Sequence, residues 1–275
     1  MSGGIDSSVA AIELRRKGYE LKGVTFTQLT LDSPAVAEAR QMADDMGFEH
    51  HTLDMRREFH DSVICNFIDE YLHGRTPNPC VQCNSNIKWG MLQKFADEMG
   101  CFYIATGHYA SVKKIGDRFA LAIPEDAKKD QTYMLYRLPQ NILEKLILPL
   151  SEGTKPQIRA EAEEAGISAA NRTDSQEICF IPDGDYVGFI QRYTGDDFAC
   201  GDFLDVHGNL LGKHSGAIRY TIGQRKGLGI SLGRPMFVKE KDVINNTVTL
   251  CDNNELFSKK LTAKDINLVA CDNLY

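Results

Sequence analysis

The sequence lacks the apolar run of about 20 residues that a transmembrane helix needs, and no signal peptide precedes its first motif. It also lacks a basic excess, because 31 Lys and Arg residues are outnumbered by 38 Asp and Glu residues. Proteins that bind nucleic acid through a broad surface usually carry positive charge, so this balance argues mildly against RNA, although local basic clusters can still hold phosphates. With 43% hydrophobic residues, the composition is that of a globular protein with a real core.

A secretory disulfide pattern and a zinc site are missing as well. Eight cysteines occur without secretory features, which predicts reduced thiols in a cytoplasmic protein without membrane attachment. The C-x-x-C pair Cys80 and Cys83 has no second pair or nearby histidine pair to complete the four ligands of zinc. Five other cysteines lie in apolar or β-like contexts and are interpreted as structural: Cys65, Cys101, Cys200, Cys251 and Cys271.

The first half of the chain alternates helical and strand-like segments. Helices are predicted over Ser7 to Gly18, Pro34 to Gly47, Arg57 to Leu72 and Asn84 to Met99. Strands are predicted over Tyr19 to Gln28, Phe48 to Asp54 and Phe102 to Thr106. This alternation predicts βαβ units, and hence an α/β fold with a parallel sheet and helices on both faces.

The second half changes to short strands around tight turns. Hairpins are predicted over Phe203 to Lys213 and over Met236 to Cys251. A domain boundary is placed near Asp183 to Tyr186. Leu261 to Tyr275 are interpreted as the first strands of a further domain that does not finish, and a strand that should feed the first turn is missing before Met1.

Residues 2–8, with the sequence SGGIDSS, form the first motif that carries chemistry. Two glycines let the backbone approach an anion, and N–H groups at the start of the following helix form a nest for phosphate. The hydroxyls of Ser2, Ser7 and Ser8 can add donors. A plain capping turn is the alternative. The spacing is not that of Walker A and resembles the PP-loop of ATP pyrophosphatases, which implies that Asp6 lies beside pyrophosphate and binds Mg²⁺ or orients the reacting groups.

Three cysteines in two segments form the second candidate. Cys80 and Cys83 follow a proline-braced loop, and Cys83 is predicted at a helix start, where the dipole favours the thiolate. The alternative is a buried, small hydrophobic residue. Cys179 lies in the segment from Ser175 to Pro182, predicted as a loop or short strand. A core cysteine is an equally open interpretation of Cys179, because its neighbours are apolar.

Taken together, the motifs resemble the bacterial tRNA-specific 2-thiouridylase family, in family order and over most of the chain. The matching segments are Met1 to Ser8, Gly74 to Pro79, Cys83-Asn84, Ala105 to Tyr109, Lys129 to Gln131, Ile178 to Ile181 and Thr221 to Gly229. The resemblance implies three domains: a PP-loop ATP-binding catalytic domain over residues 1–184 without its first strand, a small, mainly β central domain over 185–255, and the beginning of a truncated C-terminal β-barrel over 256–275.

The resemblance also implies roles for individual residues. The positions that match ATP contacts are Met1, Ser2, Gly3, Gly4, Ile5, Asp6, Ser7, Phe26 and Gly107. The positions that match contacts to tRNA or its target base are Asn78, Pro79, Cys80, His108, Lys129, Asp130 and Gln131. Cys83 matches the nucleophile, and Cys179 matches the cysteine that carries sulfur as a persulfide.

The implied reaction is ATP-dependent 2-thiolation of the wobble uridine. The C2 oxygen is first joined to AMP because it is a poor leaving group, and sulfur from a cysteine persulfide then replaces it. The implied partners are tRNA, bound at its anticodon loop, and a protein that donates persulfide sulfur. The glycine-rich, basic loop from Thr221 to Gly229 is interpreted as a tRNA phosphate contact, with a solvated hairpin tip as the alternative.

Cys80 departs from the family pattern, in which an acidic residue often follows Asn-Pro. Cys80, Cys83 and Cys179 would supply three ligands of an iron–sulfur cluster if they converge, whereas the persulfide route needs only two cysteines. Two rival functions stay open. One is another PP-loop adenylating ligase or amidotransferase, which needs no cysteine pair, and the other is a non-enzymatic iron–sulfur or RNA-binding module.

Overall fold

The computed structural model describes residues 1–167 and 177–273, which pack as two compact units. Within these ranges the first unit contains residues 1–63, 80–167 and 265–273, and the second contains 64–79 and 177–264. No helix in the described ranges is long and apolar enough to span a bilayer. The sequence-based division at residues 184 and 255 stays a prediction.

The regular elements of the described residues alternate in the first half and are mostly strands in the second. The α-helices are α1 (Ile5–Arg16), α2 (Pro34–Met46), α3 (Arg56–Phe59), α4 (Cys65–Leu72), α5 (Pro79–Cys83), α6 (Trp89–Glu98), α7 (Gln140–Leu143), α8 (Lys155–Glu164) and α9 (Tyr186–Thr194). The strands are β1 (Lys22–Thr27), β2 (Glu49–Asp54), β3 (Ile104–Ala105), β4 (Ser111–Ile115), β5 (Arg118–Ala122), β6 (Leu146–Ile147), β7 (Gly201–Leu204), β8 (Leu210–His214), β9 (Phe237–Asp242) and β10 (Thr247–Cys251).

Parallel pairing dominates the first unit. Strand β1 pairs with β2 in parallel from Lys22 opposite Glu49 to Thr27 opposite Asp54, with α2 as the crossover. Strand β3 pairs with β6 in parallel, and β4 and β5 form an antiparallel hairpin. The predicted α/β class with parallel strands and intervening helices is confirmed. The strand predicted over Phe102 to Thr106 is shorter in the structure, where β3 comprises only Ile104–Ala105.

Helix α2 shows why the sequence was informative about this half. The Ser33 hydroxyl accepts from the Val36 N–H, Pro34 occupies the first turn, and Gly47 ends the helix in the left-handed conformation with φ 70°. These are the start and stop signals of a helix. The predicted segment from Pro34 to Gly47 therefore agrees with the structure.

Two longer helical stretches contain π-helical turns. The stretch that begins with α3 passes through a π-helical segment, His60–Ile64, before α4. The stretch that begins with α5 passes through Asn84–Lys88 before α6. The second helix was predicted to start at Asn84, but it starts at Pro79, because the proline has the fixed backbone angle that suits a first helical turn.

The main core of the first unit packs α6 against the loops and strands that follow it. Trp89, Leu135 and Leu143 are at most 1% exposed, and β1 contributes the partly buried Val24 and Phe26. A second cluster joins α1 to α8 through Val9 and other apolar side chains. These two clusters hold the first turn of α1 and the end of β1 in fixed positions.

The second unit contains a four-stranded sheet in the order β8-β7-β10-β9. The two predicted hairpins are present as β7–β8 and β9–β10, and β7 pairs with β10 in parallel. Phe203, Val238 and Leu250 fill the sheet's apolar face and are fully buried. The strands expected from Leu261 onward are not formed in the described residues up to Asn273.

Candidate active site

The glycine turn before α1 leaves the start of this helix open. Gly3 has a φ of +69°, and a Cβ there would lie 2.7 Å from the carbonyl oxygen of Ala35, so the position requires glycine. Gly4 is the N-cap, and its carbonyl accepts the first helical hydrogen bond from the Ser8 N–H at 3.2 Å. The N–H groups of residues 5–7 therefore point out of the helix end, where they can bind an anion.

Two serine hydroxyls lie at this turn. The Ser7 hydroxyl donates to the Gly4 carbonyl at 3.0 Å and accepts from the Ser2 N–H at 3.1 Å. The Ser2 hydroxyl lies 3.2 Å from the Ser7 hydroxyl. Ser8, expected as a third donor, is only 2% exposed and lies in the core. The turn therefore offers two hydroxyls and not three.

Gly107, after strand β3, packs directly against the same turn. A Cβ at this position would lie 2.7 Å from the backbone carbon and oxygen of Asp6 and 2.9 Å from the Ser7 nitrogen. No larger residue fits without moving the loop. Gly107 was assigned to the nucleotide site by resemblance, and the structure supplies a physical reason for glycine there.

A cavity of about 660 Å³ opens beside the turn. Its size is within the range of small-molecule pockets in proteins. The cavity lies between α1, β1, α6 and the segment after β3, and its lining includes polar side chains of the turn and apolar side chains of β1 and α6. The predicted site residues that line it are Met1, Ser2, Asp6, Ser7, Phe26, Gly107, His108 and Gln131, while Gly3, Gly4 and Ile5 form the turn itself.

Asp6 makes contacts that the sequence did not predict. The Lys155 ammonium donates to both of its carboxylate oxygens, at 2.8 and 3.0 Å, and the Tyr109 hydroxyl donates to Oδ1 at 2.8 Å. The Lys155 side chain is 11% exposed and the Asp6 side chain 37% exposed. Asp6 is therefore held in place at the edge of the cavity by an ion pair with the mostly buried Lys155.

Lys155 was missed from the sequence, although one signal marks its neighbourhood. Thr154 and Gln157 form a capping box, and Pro156 follows Lys155, so a helix start is readable there. The pattern places Lys155 at the start of α8 but says nothing of its partner, which lies 149 positions away. Only packing of α8 against α1 brings the two side chains together.

Cys83 does not lie where the sequence predicted. It is the last residue of α5, 8% exposed, and not at the helix start. Burial raises the pKa of its thiol, while the charge of Lys88 and a contact from the Gln28 amide at 3.5 Å lower it. The helix N-terminus therefore does not activate Cys83, and burial outweighs the two groups that favour the thiolate.

The π-helical segment Asn84–Lys88 changes which side chains share a face with Cys83. Residues five positions apart differ by about 140° in an α-helix. A π-turn closes hydrogen bonds between residues five apart, here from the Trp89 N–H to the Asn84 carbonyl, and so brings such residues onto one side. Lys88 thus lies one turn below Cys83, and it lines the cavity whereas Cys83 does not.

The residues before Cys83 are the candidates for holding the target base. Asn78 and Cys80 are exposed, and the buried Pro79 begins α5. Cys80 is three positions before Cys83 and so lies on the same helical side. Desolvation by its surroundings raises the pKa of the Cys80 thiol, and Lys88 lowers it.

His108 is a neutral side chain in this site. Burial, followed by the charge of Lys88, lowers its pKa to about 3. Its Nδ1 lies 2.8 Å from the Thr106 hydroxyl, and its ring lies 5.9 Å from that of Trp89. At neutral pH it can therefore exchange hydrogen bonds with a ligand but cannot neutralise a phosphate.

The segment from Lys129 to Gln131 is tied to the same site through Gln131. The Gln131 side-chain oxygen accepts from the Tyr109 N–H at 2.8 Å, and the Gln131 backbone N–H donates to the Tyr109 carbonyl at 2.9 Å. Asp130 accepts from the Thr132 N–H at 2.9 Å and so shapes the turn. Lys129 is half-buried.

Cys179 is exposed in a turn of the second unit. Its neighbours Phe180 and Ile181 are buried, and Phe180 packs against Phe67 with 5.3 Å between ring centroids. The interpretation of Cys179 as a core residue is therefore wrong. The first two residues of this motif, Ser175 and Gln176, lie outside the described residues.

All eight cysteines lie in the described ranges as thiols, and Cys200, expected as structural, is exposed.

Arg225 and Lys226 are exposed in the loop from Thr221 to Gly229. This loop is not a hairpin tip, because the strands before and after it, β8 and β9, lie at opposite edges of the sheet and do not pair with each other.

The fold and the site together define a nucleotide-binding α/β protein of the PP-loop type. A family model described as the tRNA methyl transferase HUP domain matches residues 1–183, and the PRC-barrel domain model of the same name matches residues 187–252. The tRNA-specific 2-thiouridylase of Clostridioides difficile is 46% identical over all of this chain and 80% of its own length. That of Acetivibrio thermocellus is also 46% identical, with the same coverage.

The chain therefore belongs to the tRNA-specific 2-thiouridylase family, an enzyme family, and the resemblance seen in its motifs is confirmed. Among solved structures it is similar to a U34-tRNA thiolase from Methanococcus maripaludis that holds a [4Fe–4S] cluster. That similarity is 18% in identity, with a TM-score of 0.43, and covers 70% of this chain and 64% of the other.

Proposed function

We propose that this protein catalyses the ATP-dependent replacement of the C2 oxygen of the tRNA wobble uridine by sulfur. One observation carries the proposal most directly. The phosphate turn, held by Gly107, opens on a cavity of about 660 Å³ in a chain of this family. The curated relatives at 46% identity are named for the same reaction.

ATP is proposed to bind with its phosphates at the N–H groups of residues 5–7 and the hydroxyls of Ser2 and Ser7. Its base then occupies the part of the cavity near Phe26. The full set of proposed nucleotide residues is Met1, Ser2, Gly3, Gly4, Ile5, Asp6, Ser7, Phe26 and Gly107. This arrangement holds the α-phosphate at a fixed place for attack by the C2 oxygen.

Mg²⁺ fits this donor set, because the Asp6 carboxylate borders the cavity. Its Oδ1 accepts from both Tyr109 and Lys155, whereas Oδ2 accepts only from Lys155 and so keeps a lone pair for a cation. Asp6 would hold the ion together with phosphate oxygens. When bound, it neutralises charge on the triphosphate and favours departure of pyrophosphate. Lys155 keeps the carboxylate aimed at the cavity edge.

The tRNA is proposed to present an unstacked wobble base to these groups. The residues proposed to contact the base or the tRNA are Asn78, Pro79, Cys80, His108, Lys129, Asp130 and Gln131. The basic loop from Thr221 to Gly229 is proposed to contact tRNA phosphates through Arg225 and Lys226. Each of these contacts is local, which reconciles RNA binding with a net charge of −7.

Sulfur transfer is proposed to use Cys179 and Cys83. A donor protein loads Cys179 as a persulfide. In the direct route the outer sulfur attacks C2 and displaces AMP, and Cys83 then attacks the inner sulfur of Cys179, which releases the thiolated base. In the sulfide route Cys83 attacks the inner sulfur first, and the released sulfide attacks C2 and displaces AMP. In both routes a disulfide forms between Cys83 and Cys179. A dithiol reductant then restores both thiols.

Purified protein with tRNA, ATP and a persulfide donor tests the proposal. We expect pyrophosphate release together with 2-thiouridine in nucleoside mass spectrometry. An adenylating ligase would instead keep its activity when Cys83 and Cys179 are both replaced by Ser. Wild-type protein that releases pyrophosphate but never forms thiouridine would overturn the assignment.

The iron–sulfur alternative, with Cys80, Cys83 and Cys179 as ligands, stays a prediction. Anaerobic purification followed by iron quantification decides it. Iron-free protein that thiolates tRNA from a persulfide donor eliminates the cluster. Parallel loss of iron and activity in Cys80→Ala supports it.

A further inference from the structure

Lys88 is a cation that the motifs did not identify. It is half-buried, lies at the end of the π-helical segment and lines the same cavity as Ser2, Asp6 and Ser7. In the described part of the chain, no carboxylate forms an ion pair with it. An ammonium in such a cavity without a counter-charge favours the binding of an anion.

The groups around Lys88 leave its charge uncompensated. Its charge acts on Cys80 and Cys83 of the same helical stretch and on His108 after β3. Burial disfavours the thiolate form of both cysteines, and a histidine side chain is either neutral or positive, so none of these groups supplies a negative charge at neutral pH. Gln28, which contacts Cys83, is uncharged.

The cavity that Lys88 lines is also bordered by the phosphate turn, Gly107 and His108. His108, on which its charge acts, directly follows Gly107, and Gly107 lies against the backbone of Asp6 and Ser7. The Asp6 carboxylate is already paired with Lys155, so it does not compete for the Lys88 ammonium. The nearest anion that the proposed function brings into this cavity is the phosphate chain of the nucleotide.

We propose that the Lys88 ammonium binds a phosphate of the nucleotide, as the side-chain cation of a phosphate loop that has no Walker lysine. The inference rests on the proposed binding of ATP in this cavity. The π-helical segment that ends at Lys88 turns this position differently from a continuous α-helix, and in this orientation Lys88 lines the cavity. Cationic contacts to phosphate are among the stronger polar interactions.

The test compares ATP and adenosine as ligands of purified protein without tRNA, by equilibrium binding. We expect Lys88→Met to weaken ATP binding by about ten- to hundredfold, which is the usual effect of losing a charged hydrogen bond. Adenosine affinity should change by less than about twofold, because adenosine carries no phosphate. Lys88→Arg should retain most of the ATP affinity.

Lys94→Met is the matched control, because Lys94 is an exposed lysine on the following helix α6 and the substitution removes the same charge. An equal loss of ATP and adenosine affinity in Lys88→Met would show a structural role and overturn the inference. Unchanged ATP affinity would overturn it too. Should Lys88→Met fail to fold, Lys88→Gln takes its place with the same criteria.

The two proposals fail differently. Wild-type protein that binds no ATP refutes nucleotide binding by the cavity, and the inference about Lys88 with it. If wild type and Lys88→Met bind ATP equally tightly, the inference about Lys88 is refuted, while nucleotide binding by the cavity is not. A selective loss for ATP supports both.

Discussion

Replacement of Gly107 by Ala is the sharpest test of the phosphate turn. The added Cβ would lie 2.7 Å from the backbone of Asp6 and 2.9 Å from the Ser7 nitrogen. Non-bonded carbon atoms prefer a separation of about 3.5 Å or more, so the turn has to move by roughly 0.8 Å. Hydrogen bonds of about 2.9 Å from the turn to a phosphate would then stretch beyond their useful range.

The expected effects follow from this displacement. Overpacking costs about 1–3 kcal/mol of folding stability. The loss of one charged hydrogen bond costs a further 1.5 kcal/mol or so in nucleotide affinity, which is about tenfold. Titration calorimetry with ATP and thermal unfolding without ligand measure the two effects separately.

Gly90→Ala is the control for Gly107→Ala. Gly90 lies in α6, and a Cβ there has no neighbour within 4 Å, so the change should leave ATP affinity intact and stabilise the helix by up to about 1 kcal/mol. The reasoning is refuted if Gly107→Ala binds ATP within twofold of wild type. In that case the turn either tolerates the methyl group or does not hold the phosphates.

Three further predictions concern charge and thiol chemistry. Asp6→Asn should abolish thiolation, and because it leaves the Lys155 ammonium without its partner, it should cost roughly 1–2 kcal/mol of stability after solvent screening. Cys179→Ser should retain ATP-dependent adenylation, measured as pyrophosphate release, but transfer no sulfur, whereas Cys200→Ser, at another exposed cysteine, should do both. In the folded protein the pKa of His108 is about 3, whereas in the unfolded chain it is about 6.5. Between these two pH values only the unfolded chain binds the proton, so the free energy of unfolding should fall by a few kcal/mol as the pH decreases through this range. The fall should be smaller in His108→Gln.

Distinct outcomes would contradict these expectations. Full-rate pyrophosphate release by Asp6→Asn would remove Asp6 from the reaction. Sulfur transfer at the wild-type rate by Cys179→Ser would exclude the persulfide role. Equal acid sensitivity of wild type and His108→Gln in thermal unfolding, with His73→Gln as an exposed control, would show that His108 is not a buried neutral group.

The candidate site was partly readable from the sequence and partly not. The phosphate turn could be found because its glycines, serines and helix start are contiguous in residues 2–8. The prediction that Cys83 lies at a helix start was wrong. Pro79, which follows Pro77 by two residues, was assigned to a loop, whereas it begins the helix. Lys88 was missed because five-residue spacing has meaning only when a π-turn is present.

What the sequence by itself determined about this protein is local. The caps of α2, the hairpins of the second unit and the geometry of the glycine turn depend on residues within a few positions of one another, so their signals stand together in the chain. Composition and periodicity added the α/β class, since helices and strands of that length alternate in the first half.

The tertiary structure decided the features that join distant segments. Lys155 reaches Asp6 across 149 positions, Gly107 closes on the turn at Asp6, and burial and not the helix end sets the state of Cys83. These contacts come from the packing of whole helices and strands. A side chain's partner, burial and pKa depend on what the rest of the fold places beside it, and no local pattern of residues carries that information.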